Sequence, residues 1–248
     1  MEHRDHTPAS ASGLATMTDS LRSARNYYRW IHRQIAPYLG QRLLDIGAGS
    51  GNILPFVLDR EAVIVVDSAS DCTEAIRARF PGRSNLQVVQ ADICDLALIP
   101  TIRHLRVDTI ICTNVLEHIA NDGLAIRHMA EVLKPQRGRL ILLVPAHPSF
   151  YGSLDRAAGH FRRYEPRQLR ALLEENGLVS ESVRHMNILG GLGWWFNSRI
   201  LRDPDLNSRS MNQQIVWFDR LAVPILERVE RVLRLPFGLS LIAMGRVP

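Results

Sequence analysis

Leu43-Leu44-Asp45-Ile46-Gly47-Ala48-Gly49-Ser50-Gly51-Asn52 passes from an apolar run into a turn with glycine at every second position. The apolar part is short and nearly continuous, as expected of a strand covered on both faces in a parallel sheet. Glycine at 47, 49 and 51 suits a backbone that bends sharply against a ligand, because no Cβ has to be accommodated. Pro55 then predicts a helix whose first N–H groups face the same ligand. The stretch therefore reads as the first strand–turn–helix unit of an α/β sheet that holds a nucleotide-like molecule. The dinucleotide pattern G-x-G-x-x-G requires glycine at 52, where Asn52 stands, and the chain has no G-K-[ST] sequence for a P-loop. Both the NAD and the ATP readings lose ground.

Working outward, apolar runs recur at 62–66, 86–91, 107–112 and 139–144 with helical segments between them, which predicts a doubly wound α/β sheet. Ile126, Met129, Ala130 and Leu133 mark one crossover helix, with Asn121-Asp122 before it and Lys134-Pro135 after it. Upstream, a helix over 19–36 places Tyr27, Tyr28, Ile31 and Ile35 on a partly apolar face. Downstream, a helix over 166–176 is stopped by Gly177 and followed by strands at 178–185 and 239–244. Residues 186–238 then form a helical insertion or cap. Its second half carries Leu221, Ile225, Val229 and Val232 on one face, with Glu227–Arg231 and Glu230–Arg234 as i,i+4 pairs. Residues 1–18 lack apolar periodicity and read as a disordered lead-in, which leaves 19–248 as a single domain.

Composition narrows the class. The 248 residues are 46% hydrophobic and 22% charged, the balance of a soluble globular chain. The net charge of +5 is dispersed, with no run resembling a nucleic-acid-binding tail. Cys72, Cys94 and Cys112 are odd in number and widely spaced, which indicates neither a disulfide framework nor a metal site and fits reduced thiols in the cytoplasm. The charged start lacks a signal-peptide core, and no apolar stretch is long enough to span a membrane.

Asp67 ends the second apolar run twenty residues after Gly47, and Ser68 follows it. A carboxylate at that strand tip can accept both hydroxyls of a ribose. Asp92-Ile93 ends the third run, where an acid and an apolar neighbour can bracket an adenine. Taken singly, each Asp is equally a strand-terminating turn residue.

With these elements in place the chain resembles the class I S-adenosylmethionine-dependent methyltransferases. Residues 45–51 look like that family's first motif, Asp67 its ribose-binding acid and Asp92-Ile93 its adenine segment. Residues 108–119, ending Asn114-Val115-Leu116-Glu117-His118-Ile119, look like its fourth-strand motif. Leu133-Lys134-Pro135 fits as well, although Gln136-Arg137-Gly138 stands where the family usually continues Gly-Gly. The resemblance covers 41–144 and speaks to the cofactor rather than the acceptor. It implies a Rossmann-like, mostly parallel seven-stranded sheet with an antiparallel last strand. It also implies S-adenosyl-L-methionine as cofactor and S-adenosyl-L-homocysteine as product. Asp45, Gly47, Ala48, Gly49, Gly51, Asp67, Ser68, Asp92 and Ile93 are the cofactor residues it implies, with Asn114 and Val115 beside the sulfonium. His118 either caps local backbone or touches cofactor or substrate.

The segment after the fifth strand leaves the carboxyl edge of the sheet, where ligands bind in open α/β folds. It carries His147, Tyr151 and His160 as candidates to take a proton from an acceptor. Equally, His160 and Arg163 can tie a long loop to the helix at Pro166. Arg163, with Arg162, can instead grip an acidic group on the acceptor. Tyr28 from the first helix, and Trp194 and Trp195 in the insertion, are candidate acceptor contacts; the tryptophans suit a pocket wall, a membrane interface or plain core packing. The expected partner is a small, partly apolar or aromatic acceptor. Nucleic acid is disfavoured, because neither an Asn-Pro-Pro-Tyr-like motif nor a Pro-Cys nucleophile is present. A cofactor-binding protein that does not transfer methyl is the alternative.

Overall fold

The seven predicted strands pair into one sheet in the computed structural model, which describes residues 24–95, 97–188, 209–233 and 236–248. The strands are β1 (Arg42–Ile46), β2 (Ala62–Asp67), β3 (Leu86–Gln90), β4 (Thr109–Thr113), β5 (Arg139–Pro145), β6 (Val179–Met186) and β7 (Ser240–Arg246). Their order is β3-β2-β1-β4-β5-β7-β6. All neighbours are parallel except β7, which runs antiparallel to both β5 and β6. The expected Rossmann-like sheet with its antiparallel last strand is therefore present.

Helices cover both faces, which is why the central strands need no polar alternation. On one face, Leu44, Ile110 and Leu142 pack under α3 (Leu98–Arg103), α4 (Asp122–Leu133) and α6 (Pro166–Glu175). On the other, Leu43, Val65, Ile111 and Ile141 pack under α1 (Arg25–Ile35), α2 (Ser70–Arg79) and α8 (Val223–Val232). The remaining helices are the short α5 (Ser153–Ala157) and α7 (Arg209–Trp217). The Asn121 side chain accepts the Leu124 N–H at 3.0 Å, confirming the cap read for α4.

Two expectations are corrected. The helix predicted at Pro55 is only a single 3₁₀ turn, Leu54–Phe56. β-branched Ile53 and Val57 favour helix weakly. Asn85 also donates its side-chain amide to the Leu58 and Arg60 carbonyls, groups that a continued helix would use internally. In the insertion, the stripe Leu221, Ile225, Val229 and Val232 faces outward, with Ile225 61% and Val232 81% exposed. The buried side carries Asp219, Val223, Leu226 and Glu227 instead. Polar anchors choose that face: Glu227 pairs with Arg33 of α1 as well as Arg231, while Glu230 accepts the Asn187 and Ile188 N–H groups. Residues 1–18, Trp194, Trp195 and Arg234 lie outside the described residues.

α1 has no capping side chain of its own at Ala24. Its first N–H groups are taken from far along the chain by Asp219, in the π-helical turn Phe218–Ala222 between α7 and α8. Asp219 accepts the Tyr27 N–H at 2.8 Å and the Asn26 N–H at 3.3 Å. Asp219→Ala leaves both donors buried or half-buried without this acceptor and is expected to lower the unfolding free energy by about 1–3 kcal/mol. A fall in the urea midpoint at unchanged slope is the measurement that checks it.

Candidate active site

β1 and β4 are adjacent while their connections leave in opposite directions, so a crevice opens beyond their carboxyl ends. The turn after β1 enters that crevice with Gly47, Gly49 and Gly51 at φ +64°, +55° and +71°. Gly47 is obligatory twice over, since a Cβ there would stand 2.3 Å from Val115 Cγ2. Its N–H donates to the Val66 carbonyl at 2.7 Å. Asp67 braces the same turn: its carboxylate accepts the Gly49 N–H at 2.9 Å and the Ala69 N–H at 3.0 Å. Burial pushes the Asp67 pKa upward despite those bonds.

Asp45 lies deeper, 1% exposed, and burial together with the Asp67 charge pushes its pKa up to about 8. Its Oδ2 has no hydrogen-bond partner. A buried, unpartnered carboxylate oxygen beside a Cβ-free turn is a receptor for a cationic or N–H-bearing group. α1 roofs this region, where the Tyr28 hydroxyl lies beside the Asn52 side chain and the Tyr27 hydroxyl beside Asn114 and Ser240, and burial pushes both phenol pKa values upward. Asn114 itself sits at φ +54° and is anchored through its N–H to the Leu143 carbonyl at 2.8 Å.

Ser68 is exposed beside Asp67. Asp92 is exposed and accepts the Cys94 N–H at 2.8 Å in a local turn. The Ile93 side chain is buried in the core, and its carbonyl meets His128 Nδ1 at 2.8 Å.

The segment after β5 folds back onto the segment after β4. Phe161 donates its N–H to the Glu117 carbonyl at 2.8 Å, and Arg162 ion-pairs with Asp122 at 2.7 Å. His160 and His118 are thereby brought edge to face, with ring centroids 4.7 Å apart. Asp155 holds His160 Nδ1 at 2.9 Å and is itself gripped by Arg163 Nε at 2.7 Å. Burial drives the His118 pKa down to about 4 and the Glu117 pKa up to about 7.

The three proposed bases separate here. Tyr151 donates its hydroxyl to the His160 carbonyl at 2.7 Å, a structural bond. His147, at φ +60°, stacks against His185 and Phe237, with centroids 5.0 and 4.7 Å away, apart from the His118–His160 pair. Arg163 is 4% exposed and also donates to the Ala146 carbonyl at 3.0 Å, so it ties the loop down rather than presenting an open guanidinium. Sequence reading had not singled out Tyr27, Asp155 or Glu117. For Glu117 there was a signal, an acid beside a histidine inside the apolar frame of Val115, Leu116 and Ile119.

A glycine turn at the switch point of this sheet, faced by an acid at the tip of β2, defines a Rossmann-like protein built around a nucleoside-type ligand. The chain belongs to the methyltransferase-domain family, which matches residues 16–183, and specifically to the class I S-adenosylmethionine-dependent type. Among solved structures, it is similar to a chain complexed with the Trm112 methyltransferase activator of Haloferax volcanii (17% identity, 96% of each chain covered, TM-score 0.63). It is also similar to a SAM-dependent methyltransferase from Archaeoglobus fulgidus (18% identity, 90% of this chain and 94% of that one, TM-score 0.58). A third similar structure is the [4+2]-cyclase SpnF (17% identity, 90% and 80% covered, TM-score 0.59). No curated protein matches the sequence. Among the described residues, no helix is long and apolar enough to cross a membrane.

Because the Asp45 carboxyl rises from 3.8 to about 8 on folding, the folded protein keeps a proton that the unfolded chain releases in that interval. Its contribution to stability is greatest below its ordinary pKa and declines as pH rises toward about 8. Asp45→Asn removes this dependence. In urea unfolding of the ligand-free protein the variant should gain on the wild type between pH 5 and pH 8, by about 3–4 kcal/mol. A constant difference across that range would show that Asp45 ionises normally.

Proposed function

We propose that the protein transfers the methyl group of S-adenosyl-L-methionine to a small, partly apolar or aromatic acceptor by in-line displacement, releasing S-adenosyl-L-homocysteine. The observation that carries this reading is the trio at the β1–β2 edge: a Cβ-free turn, Asp67 bracing it, and the unpartnered oxygen of buried Asp45. These groups fit the cofactor's parts. Gly47, Ala48, Gly49 and Gly51 line its path, Asp67 retains lone pairs for the ribose hydroxyls, and Asp45 matches the methionine ammonium. In this reading the exposed Ser68 and Asp92 and the backbone at Ile93, whose side chain is in the core, serve the adenine end, and Asn114 and Val115 the sulfonium.

When bound, the sulfonium supplies an already activated methyl, so alignment and exclusion of water do most of the work. Tyr27 and Tyr28 roof the cleft, and Trp194 and Trp195, outside the described residues, are the further acceptor contacts of this reading. His160, oriented by Asp155, is the side chain best placed to receive an acceptor proton. Residues 19–248 act as one cytoplasmic domain in this reading, with 186–238 as its cap.

Calorimetric titration with S-adenosylmethionine, S-adenosylhomocysteine and NAD tests the cofactor class: micromolar binding of the first two and none of the third is expected. Asp67→Ala should weaken S-adenosylmethionine binding by about 1–3 kcal/mol through loss of charge-assisted hydrogen bonds. Unchanged affinity would remove Asp67 from the site.

A further inference from the structure

The pair of segments beyond β4 and β5 also encloses a second arrangement of donors. Among the described residues, Glu117, His118 and His160 are the one group of three whose ligand-capable atoms all lie within 4.8 Å of one another. Ligand atoms bound tetrahedrally at about 2.1 Å from an ion stand roughly 3.4 Å apart, so small side-chain rotations close the set.

We propose that Glu117, His118 and His160 form a site for a first-row divalent metal ion, a two-histidine, one-carboxylate set beside the methyl-transfer cleft. Three observations carry it. Glu117 is 1% exposed, yet its Oε2 has no hydrogen-bond partner, an arrangement that is costly unless a cation neutralises it. His160 is oriented from behind by Asp155 at Nδ1, which leaves Nε2 as the ligand nitrogen and reproduces the carboxylate–histidine pairing found behind metal-bound imidazoles. Asp155 is fixed for that task by Arg163 Nε at 2.7 Å and the Gly152 N–H at 3.0 Å. The His118 ring packs edge to face on His160, with centroids 4.7 Å apart, which keeps its nitrogens beside the other two donors.

The donor set defines the ion. Two imidazoles with one carboxylate suit zinc, iron, manganese or cobalt rather than calcium or magnesium. Three protein ligands leave coordination positions open, so the site resembles catalytic rather than structural centres. Resting on the methyl-transfer reading, an acceptor hydroxyl, with a neighbouring carbonyl oxygen where there is one, would bind at the open positions; the ion lowers the hydroxyl's pKa so that its proton passes to solvent, and the resulting oxyanion takes the methyl as the carbon–sulfur bond of S-adenosylmethionine breaks. The acceptor class narrows accordingly to oxygen-bearing chelators. In this state His160 Nε2 is a ligand and not a base, and the two roles exclude each other.

The test uses the full chain stripped with a chelator. Titration with Co²⁺ should produce visible d–d absorption that saturates at one equivalent, and calorimetry should show matching uptake of Zn²⁺ or Mn²⁺. Glu117→Gln and His160→Ala should each weaken binding at least tenfold, and Asp155→Asn by about 10- to 100-fold if it acts through His160. Circular dichroism confirms that each variant is folded. A folded wild-type chain that takes up none of these ions overturns the site whatever the variants do, as does uptake undiminished in all three variants. S-adenosylmethionine affinity is measured separately on the stripped wild type. Cofactor binding without metal binding sinks this site and leaves methyl transfer standing. Metal binding without cofactor binding supports the site and removes only the methyl-transfer reading.

Discussion

The structure depends on one close approach: the tip of β1 meets the segment after β4 with no room for a side chain at Gly47. Parallel pairing of β1 with β4 sets the strands side by side, and Leu43 faces Thr109 in register. The turn that leaves β1 must then pass under Val115 with positive φ at three glycines. Asp67 closes this bend from β2 through the Gly49 N–H. A larger residue at 47 would push the β4 tip away, and with it Asn114, Glu117 and His118, which follow within a few residues. The glycine turn and the post-β4 segment are therefore one construction, shared by both walls of the cleft.

That construction gathers acids in low dielectric. Asp45, Asp67 and Glu117 are all buried, and burial raises the pKa of each. Such an edge is held against its own electrostatics by packing elsewhere, and it gains stability whenever a cationic group or proton neutralises it. Asp155 behaves oppositely. Arg163, His160 and the Gly152 N–H hold its pKa down, so it stays charged as an internal strut. Two kinds of buried carboxylate thus coexist: Asp67 and Asp155, whose hydrogen bonds fix a turn and a loop, and Asp45 and Glu117, each with a buried oxygen that has no partner.

The strands and the cofactor motif were legible because continuous apolar runs and spaced glycines are local signals with one physical meaning. Boundaries moved by a residue or two, as at β6 and β7. What could not be read was whatever depends on distant partners. The turn at Pro55 stopped short because Asn85 takes its carbonyls. The outward face of α8 looked like a core stripe, but carboxylates at 219, 227 and 230 had already chosen the inner side. Arg163 read equally as a substrate grip and as a loop tie while its partner Asp155 was unknown, and that partner decides for the tie. Glu117 had no visible role until the β5 segment delivered His160 to it.

The same logic links the helices of residues 209–232 to the cleft. Asp219 serves the N-terminus of α1, and the residue whose N–H it holds, Tyr27, reaches with its hydroxyl to Asn114 and Ser240. Tyr28, next in sequence, reaches Asn52 in the glycine turn. Arg33, further along α1, pairs with Glu227 of α8. A displacement of α8 therefore pulls on α1 at both ends, and α1 carries the tyrosines that contact both walls of the crevice. The helices of residues 209–232 shape the site without contributing a described side chain to it. This explains why polar groups, rather than the apolar stripe, occupy their inner face: hydrophobic contacts tolerate sliding, whereas charge-assisted hydrogen bonds set one register and hold the roof in place.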